Sequence, residues 1–274
     1  MSARTPAGRL GRAALWAVTL AVLLFLVAPI AAIVPLSFSA GSFLHYPLPG
    51  LSLRWYREFF ESAFWFDSVI NSLIIGAGAT ALATTLGTLA ALGLWLARFP
   101  GRGLVLAVLI APMVVPSVVV AVGLLFAYAP VGLANTYAGM ILAHTALASP
   151  FVVVTVSATL AGFDRTLLRA AAASGAGPAR AFRRIVLPLI APGVTAGGLF
   201  AFAISLDEVV VALFLAGPGQ RTLPRQMFAG LNEHLSLAIA AAATLLIALS
   251  ILLMATVWWL RSRSDRLAGA ADRV

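Results

Sequence analysis

The chain has 274 residues, of which 62% are hydrophobic and only 10% are charged, and its formal net charge is +9 at pH 7. Because a soluble domain carries about a quarter charged residues, this composition excludes a water-soluble globule and predicts one membrane domain with several spans. All 18 basic residues are arginine. The absence of lysine excludes a P-loop ATP site and Schiff-base chemistry in this chain, so any ATP must be bound by another chain.

Residues that usually carry catalysis or bind metals are scarce. The chain has no cysteine, which excludes disulfides, thiolate nucleophiles and zinc–thiolate sites. Its three histidines, His45, His144 and His234, are far apart and lack the spacing of metal ligands. We therefore predict no catalytic residue, no metal site and no cofactor, and we interpret His144, inside a predicted span, as a helix-packing residue.

Long apolar runs predict six transmembrane helices, because a bilayer-spanning helix needs about 20 mainly apolar residues. Backbone polar groups in lipid must pair within their own segment, so the runs are helices and the fold is all-α. The predicted spans are about 13–36, 68–97, 103–128, 137–162, 189–216 and 235–260. Residues 1–12 and 261–274 are the predicted tails, and residues 163–188 form a separate segment between spans four and five.

The arginines flank these spans asymmetrically. The two tails, the loop with Arg98 and Arg102, and residues 163–188 hold 14 arginines and three aspartates, whereas residues 37–67 and 217–234 hold four arginines and four acids. The basic side is cytoplasmic by the positive-inside rule, so both termini are predicted inside, which agrees with an even number of spans. Arginines spread over span ends do not form the single basic patch of a nucleic-acid-binding protein.

The first span and the loop after it each have an alternative interpretation. The charge-free run of the first span is longer than the 7–15-residue core of a cleaved signal peptide, so we expect a retained helix. The loop after it is rich in aromatic residues, which favours an interfacial aromatic belt over a ligand site. These residues are Phe43, Tyr46, Trp55, Tyr56, Phe59, Phe60, Trp65 and Phe66.

Residues 163–188, called the elbow below, have the local signals of two short helices joined by a turn. Asp164 is positioned to cap a helix that begins near Arg165. Gly175 follows an alanine run where a left-handed residue is expected, and Pro178 suits the first turn of a second helix. We expect that second helix to end at Leu187-Pro188, because proline lacks the N–H that would continue it.

The elbow resembles the EAA loop of ABC-importer permeases, whose pattern is E-A-A, three residues, G, nine residues and I-x-L-P. Ala170, Ala171 and Gly175 match this pattern, as does the stretch from Ile185 to Pro188. The six spans, the place of the loop between spans four and five, and Asn71-Ser72 near the start of the second span extend the resemblance. Arg169 departs from it, because the family has a glutamate there.

This resemblance implies that the elbow docks into a groove on a separate ATP-binding subunit. It also implies two such subunits, a second homologous permease subunit and an extracytoplasmic solute-binding protein as partners. The implied docking residues are Arg169, Ala170, Ala171, Gly175, Gly177, Pro178, Phe182, Ile185, Leu187 and Pro188.

The fifth predicted span contains two acids, Asp207 and Glu208, preceded by Ser205. A carboxylate in the bilayer centre costs about 2.5–3.5 kcal/mol on insertion scales, so such residues usually face a cavity or a partner. The stretch 202–211 resembles the fifth span of the second permease subunit of spermidine/putrescine importers. We therefore expect Ser205, Asp207 and Glu208 to line a pathway for a cationic solute. The alternative is that the acids pair with an arginine of the partner permease or hold helices together.

The sequence thus predicts a permease subunit of an ATP-dependent importer in the bacterial inner membrane, carrying a small cationic solute such as putrescine or spermidine. A stand-alone secondary transporter or channel is the alternative from another class; it explains the spans and the acids but not the spacing of the elbow. A membrane-embedded enzyme is a third interpretation, which the lack of a catalytic constellation disfavours.

Overall fold

The computed structural model describes the backbone of residues 6–233 and 236–271, and the side chains of residues 11–231 and 236–256. His234 and Leu235, at the predicted start of the sixth span, lie outside the described residues. Contacts divide the chain into two units. One comprises Met1–Ser62 with Gly230–Ala248, and the other comprises Ala63–Ala229 with Leu249–Val274.

The first unit contains helix α1 (Pro6–Leu36) and the short helix α2 (Arg54–Glu61). The side chains of residues 11–32 are exposed all around α1, as in a helix that faces lipid or another chain. In α2 the Trp55 indole is buried and donates to the Ser39 carbonyl over 2.9 Å, and Phe59 is buried beside it. The aromatic loop therefore divides into such buried anchors and exposed rings, among them Phe43 and Tyr46.

The second unit is built on three long helices: α3 (Ala63–Leu96), α6 (Tyr137–Ala161) and α9 (Leu187–Asp207). Their facing sides form two apolar clusters, one at each end. The elbow-side cluster includes Ala91, Val152 and Ile190. The opposite end, called the distal end below, has a cluster that includes Ile75 and Met140.

Shorter helices complete the fold. Those of the second unit are α4 (Arg102–Ile110), α5 (Ser117–Tyr128), α7 (Thr166–Ala173), α8 (Pro178–Ala181) and α10 (Val210–Leu215). The chain ends with α11 (Leu223–Glu233) and α12 (Ala238–Ala271), so the predicted tail 261–274 is helical through Ala271. Within the described residues, five helices are long and apolar enough to cross a membrane. A bent pair of helices can make a sixth span.

Glycines on α9 allow a close approach to α6. A Cβ built on Gly193 would lie 2.2 Å from the Thr159 hydroxyl, and one built on Gly197 would lie 2.5 Å from the Thr155 hydroxyl. Small residues four apart that bring two backbones together are a common packing device in membranes, where the lipid is as apolar as the helices. The contact between α6 and α9 therefore depends on these glycines.

We expect Gly197→Ala to destabilise the protein by about 1–3 kcal/mol, the usual range for overpacking, because the added Cβ also meets the Val152 Cα at 3.1 Å. Thermal unfolding of the detergent-solubilised protein measures the effect. Gly93→Ala is the matched control, since a Cβ there meets nothing within 4 Å. Equal melting temperatures of the two variants would contradict the packing role of Gly197.

The expectation of one helix over residues 103–128 is wrong, because the segment is broken into two helices. The segments Arg102–Met113 and Ser117–Tyr128 meet at an angle of 102°. Pro112 lies in the 3-10 turn that ends the first segment, and Pro116 immediately precedes the second. Because proline lacks the N–H that continues a helix, two of them four residues apart make the break. Hydropathy detects the apolar run but not this bend.

The fifth predicted span is also interrupted. The expectation that one helix continues through Asp207 and Glu208 to Ala216 is wrong, because α9 ends at Asp207 and Glu208 is extended, with φ −75° and ψ 110°. The chain resumes helical structure as α10, which packs in the distal cluster through Val211 and Leu215. The two acids therefore lie at a break between two helices.

Candidate functional site

The elbow begins with a capped helix, as predicted. The Asp164 carboxylate accepts the Thr166 backbone N–H over 2.8 Å and the Thr166 hydroxyl over 2.6 Å, and α7 starts at Thr166. The hydroxyl bond and then the backbone bond hold the pKa of Asp164 below its ordinary value. The cap is therefore charged at neutral pH and is lost only as the pH falls through the lowered pKa.

The turn of the elbow is a Schellman motif centred on Gly175. Gly175 has φ +76°, the left-handed region that favours glycine. Its N–H donates to the Ala172 carbonyl over 3.0 Å, and the Ala176 N–H donates to the Ala171 carbonyl over 2.9 Å. Pro178 then occupies the first turn of α8. The predicted helix–turn–helix geometry is confirmed.

The predicted end of the second elbow helix at Leu187-Pro188 is wrong. The chain is helical without interruption from Pro178 to Asp207, through a π-helical turn at Phe182–Val186. In that turn the Leu187 N–H donates to the Phe182 carbonyl, five residues back. The wider turn directly precedes Pro188 and absorbs the bond that proline cannot make, so the elbow continues directly into α9.

The predicted docking residues divide into a presented face and an anchoring face. Ala171 is buried, while Phe182 and Ile185 are half-buried, and Phe182 packs on the elbow-side cluster. The other predicted docking residues are exposed: Arg169, Ala170, Gly175, Gly177, Pro178, Leu187 and Pro188. The tip of the elbow, residues 172–177, thus carries only alanine, serine and glycine, while Phe182 behind it packs on the core.

The structure adds a contact that sequence reasoning missed. The Arg165 guanidinium donates to the Trp95 carbonyl at the end of α3, and its carbon lies 4.5 Å from the Trp95 ring centroid. The Phe163 ring meets the Trp95 ring edge to face, with centroids 5.2 Å apart. No local spacing signals a pair 70 residues apart, although a tryptophan at the end of an apolar run is typical of an interface.

The two acids at the helix break have different environments. The Glu208 carboxylate accepts the Val211 N–H over 2.8 Å and so satisfies one free donor at the start of α10. Asp207 is exposed, and its carboxylate has no hydrogen bond or ion pair within the part of the chain that the structure describes. It also stands at the C-terminal end of α9, where the helix dipole adds negative potential.

Ser205, the third predicted pathway residue, is buried. Its hydroxyl lies 2.8 Å from Nδ1 of His144 on α6, whose side chain is only 1% exposed. The packing role predicted for His144 thus includes a hydrogen bond between helices. His144 is seven residues into α6, about 10 Å from the distal end of that helix. Asp207, two residues beyond Ser205, is therefore about 7 Å from that end.

At the distal end, Asn71 and Ser72 hold the segment that follows α10. The Asn71 amide donates to the carbonyls of Gly219 and Arg221 over 3.1 and 3.0 Å and accepts the Tyr137 hydroxyl. The Ser72 hydroxyl accepts the Leu223 N–H over 2.8 Å. These bonds, called the distal latch below, join the distal parts of α3 and α6 to residues 219–223.

The sequence profile of the binding-protein-dependent transport system inner membrane components matches residues 83–265, a range that includes the elbow and both acids. The chain therefore belongs to this family, and it is a permease subunit of an ABC importer in the inner membrane.

The chain is similar in sequence to permease proteins of spermidine and putrescine transport systems. It is 37% identical to the spermidine/putrescine transport system permease protein PotC of Haemophilus influenzae, over 75% of this chain and 80% of the relative. It is 34% identical to the putrescine transport system permease protein PotI of Escherichia coli K12, over 88% of each chain.

Two solved structures of a bacterial ABC transporter for the acidic polysaccharide alginate share the fold. One has a TM-score of 0.71 at 14% identity and covers 96% of this chain and 99% of its own. The other, in complex with an alginate pentasaccharide-bound periplasmic protein, has a TM-score of 0.70 at 18% identity and covers 94% of each chain. At such low identity these structures support the architecture alone.

Proposed function

We propose that this chain forms half of the transmembrane pathway of an importer for putrescine, spermidine or a similar polyamine, driven by ATP hydrolysis on a partner subunit. The observation that carries the proposal is the exposed elbow with its left-handed Gly175, which lies within the range matched by the family profile and resembles the EAA loop of ABC-importer permeases. The polyamine class rests on the names of the relatives and on the Asp207 carboxylate, which has no hydrogen bond or ion pair with any of the described residues.

The elbow side is the cytoplasmic side in this proposal. Arg98, Arg102 and the elbow arginines lie there, in agreement with the positive-inside rule, and both termini are cytoplasmic. Closure of two ATP-binding subunits displaces the elbow. Because α8 runs without a break into α9, the displacement moves α9 as well and changes which side of the membrane the pathway opens to.

Asp207 is the pathway residue that this arrangement favours most. Its carboxylate and the last carbonyls of α9 lie together at the end of an interrupted helix, about 7 Å from the distal end of α6. Such helix ends within a membrane attract cations. The protonated amines of a polyamine fit this negative end, whereas an anion is repelled. Glu208 supports the site by accepting the Val211 N–H at the start of α10. Ser205 supports it by a hydrogen bond to His144, which joins the end of α9 to α6.

The proposed partners are two ATP-binding subunits, a second homologous permease subunit and an extracytoplasmic solute-binding protein. The absence of lysine requires a separate ATP-binding chain if ATP drives transport. The family description refers to a binding protein, and one alginate transporter structure contains a periplasmic one. Arg169, in place of the family glutamate, favours an acid at the matching position of the ATPase groove.

Reconstitution tests this proposal. The chain is purified together with the partner subunits that it retains, and the complex is reconstituted with its solute-binding protein. Uptake of radiolabelled spermidine, putrescine and, as an uncharged comparison, trehalose into proteoliposomes is then measured with and without ATP. We expect uptake of a polyamine only with ATP and the binding protein. Polyamine uptake that persists without the ATPase and collapses with an uncoupler would instead establish a secondary transporter. ATP-dependent uptake of trehalose but not of polyamines would contradict the substrate class.

A further inference from the structure

The base of the elbow is fixed to the end of α3 by three side chains, Trp95, Phe163 and Arg165, called the clasp below. Arg165 contributes twice, since its guanidinium donates to the Trp95 carbonyl and also lies over the Trp95 ring. The Phe163 ring packs edge to face with the Trp95 ring. Trp95 and Phe163 both pack against the elbow-side cluster. The clasp therefore connects the segment that leaves α6 with the terminus of α3.

The clasp pairs a carbonyl that has no partner within its own helix. The last four carbonyls of a helix have no partner within that helix, and Trp95 is the residue before the last in α3. A cation at this position also complements the negative end of the helix dipole. Lysine cannot replace arginine fully, because only the planar guanidinium stacks on a ring while it donates in its own plane.

The opposite part of α3 carries the distal latch. Asn71 and Trp95 are 24 residues apart on one uninterrupted helix, which corresponds to about 36 Å. The clasp holds one end of this rod to the elbow, and Asn71 holds the other to the backbone of Gly219 and Arg221. A contiguous chain of packed and hydrogen-bonded groups thus runs from the elbow to the segment at the distal end.

We propose that Arg165 is a positioning residue that makes α3 move with the elbow, so that ATPase-driven displacement of the elbow reaches the distal latch through α3 as well as through α9. The inference rests on the proposed function of the elbow. The elbow would then move two helices: α9, through the continuous backbone at the π-helical turn Phe182–Val186, and α3, through Arg165.

A spin-label measurement tests the connection itself. The chain has no native cysteine, so Leu96→Cys on α3 and Ser174→Cys at the elbow tip, both exposed positions, give a defined label pair in the purified protein. We expect a narrow distribution of distances that broadens with Arg165→Ala and broadens less with Arg165→Lys. Arg98→Ala is the control, since it removes the same charge near the end of α3 and is expected to leave the distribution unchanged. A distribution that stays narrow in Arg165→Ala overturns the proposal.

Transport coupling is the second readout, in the reconstituted complex. With Arg165→Ala we expect the ATPase to co-purify as before, while the ratio of solute taken up to ATP hydrolysed falls about fivefold or more. Arg98→Ala is expected to keep the ratio. A normal ratio in Arg165→Ala, with normal transport by the unmodified complex, refutes the role of Arg165. If the unmodified complex shows no ATP-dependent uptake, the proposed function fails, and the spin-label result still decides whether Arg165 connects the elbow to α3.

Discussion

Replacing Gly175 with valine is expected to remove nearly all ATP-driven uptake while ATP hydrolysis by the partner continues. Gly175 has φ +76°, in the left-handed region. That conformation costs a residue with a Cβ about 1–2 kcal/mol of conformational free energy, and it costs a β-branched residue more. The turn that presents the exposed alanines then opens, and the elbow no longer fits its groove. A free-energy cost of about 1.4 kcal/mol lowers the population of the docking-competent turn about tenfold, so we expect uptake to fall by about tenfold or more. Uptake and ATP hydrolysis are measured on the same proteoliposomes.

Gly175→Asn is the matched control, because asparagine tolerates the left-handed conformation better than any β-branched residue. It is expected to keep most of the uptake that valine removes. The space around a Cβ at this position is open, with nothing within 4 Å, so the difference between the two variants reports backbone conformation and not a clash within this chain. Equal uptake by the valine variant and the unmodified protein would show that the elbow does not dock through this turn.

Replacing Asp207 with asparagine is expected to reduce polyamine uptake by about tenfold or more without loss of assembly. The change removes one unit of negative charge from the end of α9, and a pair of unit charges about 4 Å apart interacts by about 4 kcal/mol at an effective dielectric constant of 20. Since Asp207 makes no hydrogen bond within the described part of the chain, its loss costs the fold little. Uptake as a function of polyamine concentration, together with the melting temperature, measures both effects.

Two other acids provide the comparison. Glu208→Gln keeps an oxygen that accepts the Val211 N–H, so α10 remains capped, and a smaller loss of uptake is expected than for Asp207→Asn. Asp67→Asn removes an equal charge from the exposed start of α3 and is expected to leave uptake within about twofold, as exposed distant charges are screened. Uptake that is undiminished in Asp207→Asn would exclude direct contact between this carboxylate and the solute.

Asp207 and Glu208 are neighbours, but they lie at helix ends of opposite polarity, the end of α9 and the start of α10. The end of α9 is negative and the start of α10 is positive, so a carboxylate is stabilised only at the second. Glu208 uses that position, whereas Asp207 stands at the unfavourable one. A charge kept at an unfavourable position in a membrane protein usually serves a ligand or a partner, and this supports Asp207 as the pathway residue.

The elbow shows what local sequence determines well. Asp164, Gly175 and Pro178 each act on backbone groups within a few residues, and the spacing of those groups is set by helix geometry itself. The prediction failed at Pro188, where the same local rule indicated a helix end. Phe182 and Val186 pack on the elbow-side cluster, and this packing stabilises a π-helical turn that accommodates the proline. The local rule does not predict this turn, because it considers only residues that are near in sequence.

By itself, the sequence determined that this protein is helical, lies in a membrane and has a helix–turn–helix elbow at residues 163–188, because hydropathy, arginine placement and caps depend on composition and short spacings. Tertiary structure alone decided which side chains meet: Arg165 with Trp95, His144 with Ser205, and Asn71 with the segment after α10. Such pairs are 61 to 150 residues apart. Their formation depends on how α3, α6 and α9 pack, and that packing is set by the whole set of apolar contacts and small residues, so no short pattern in the chain records it.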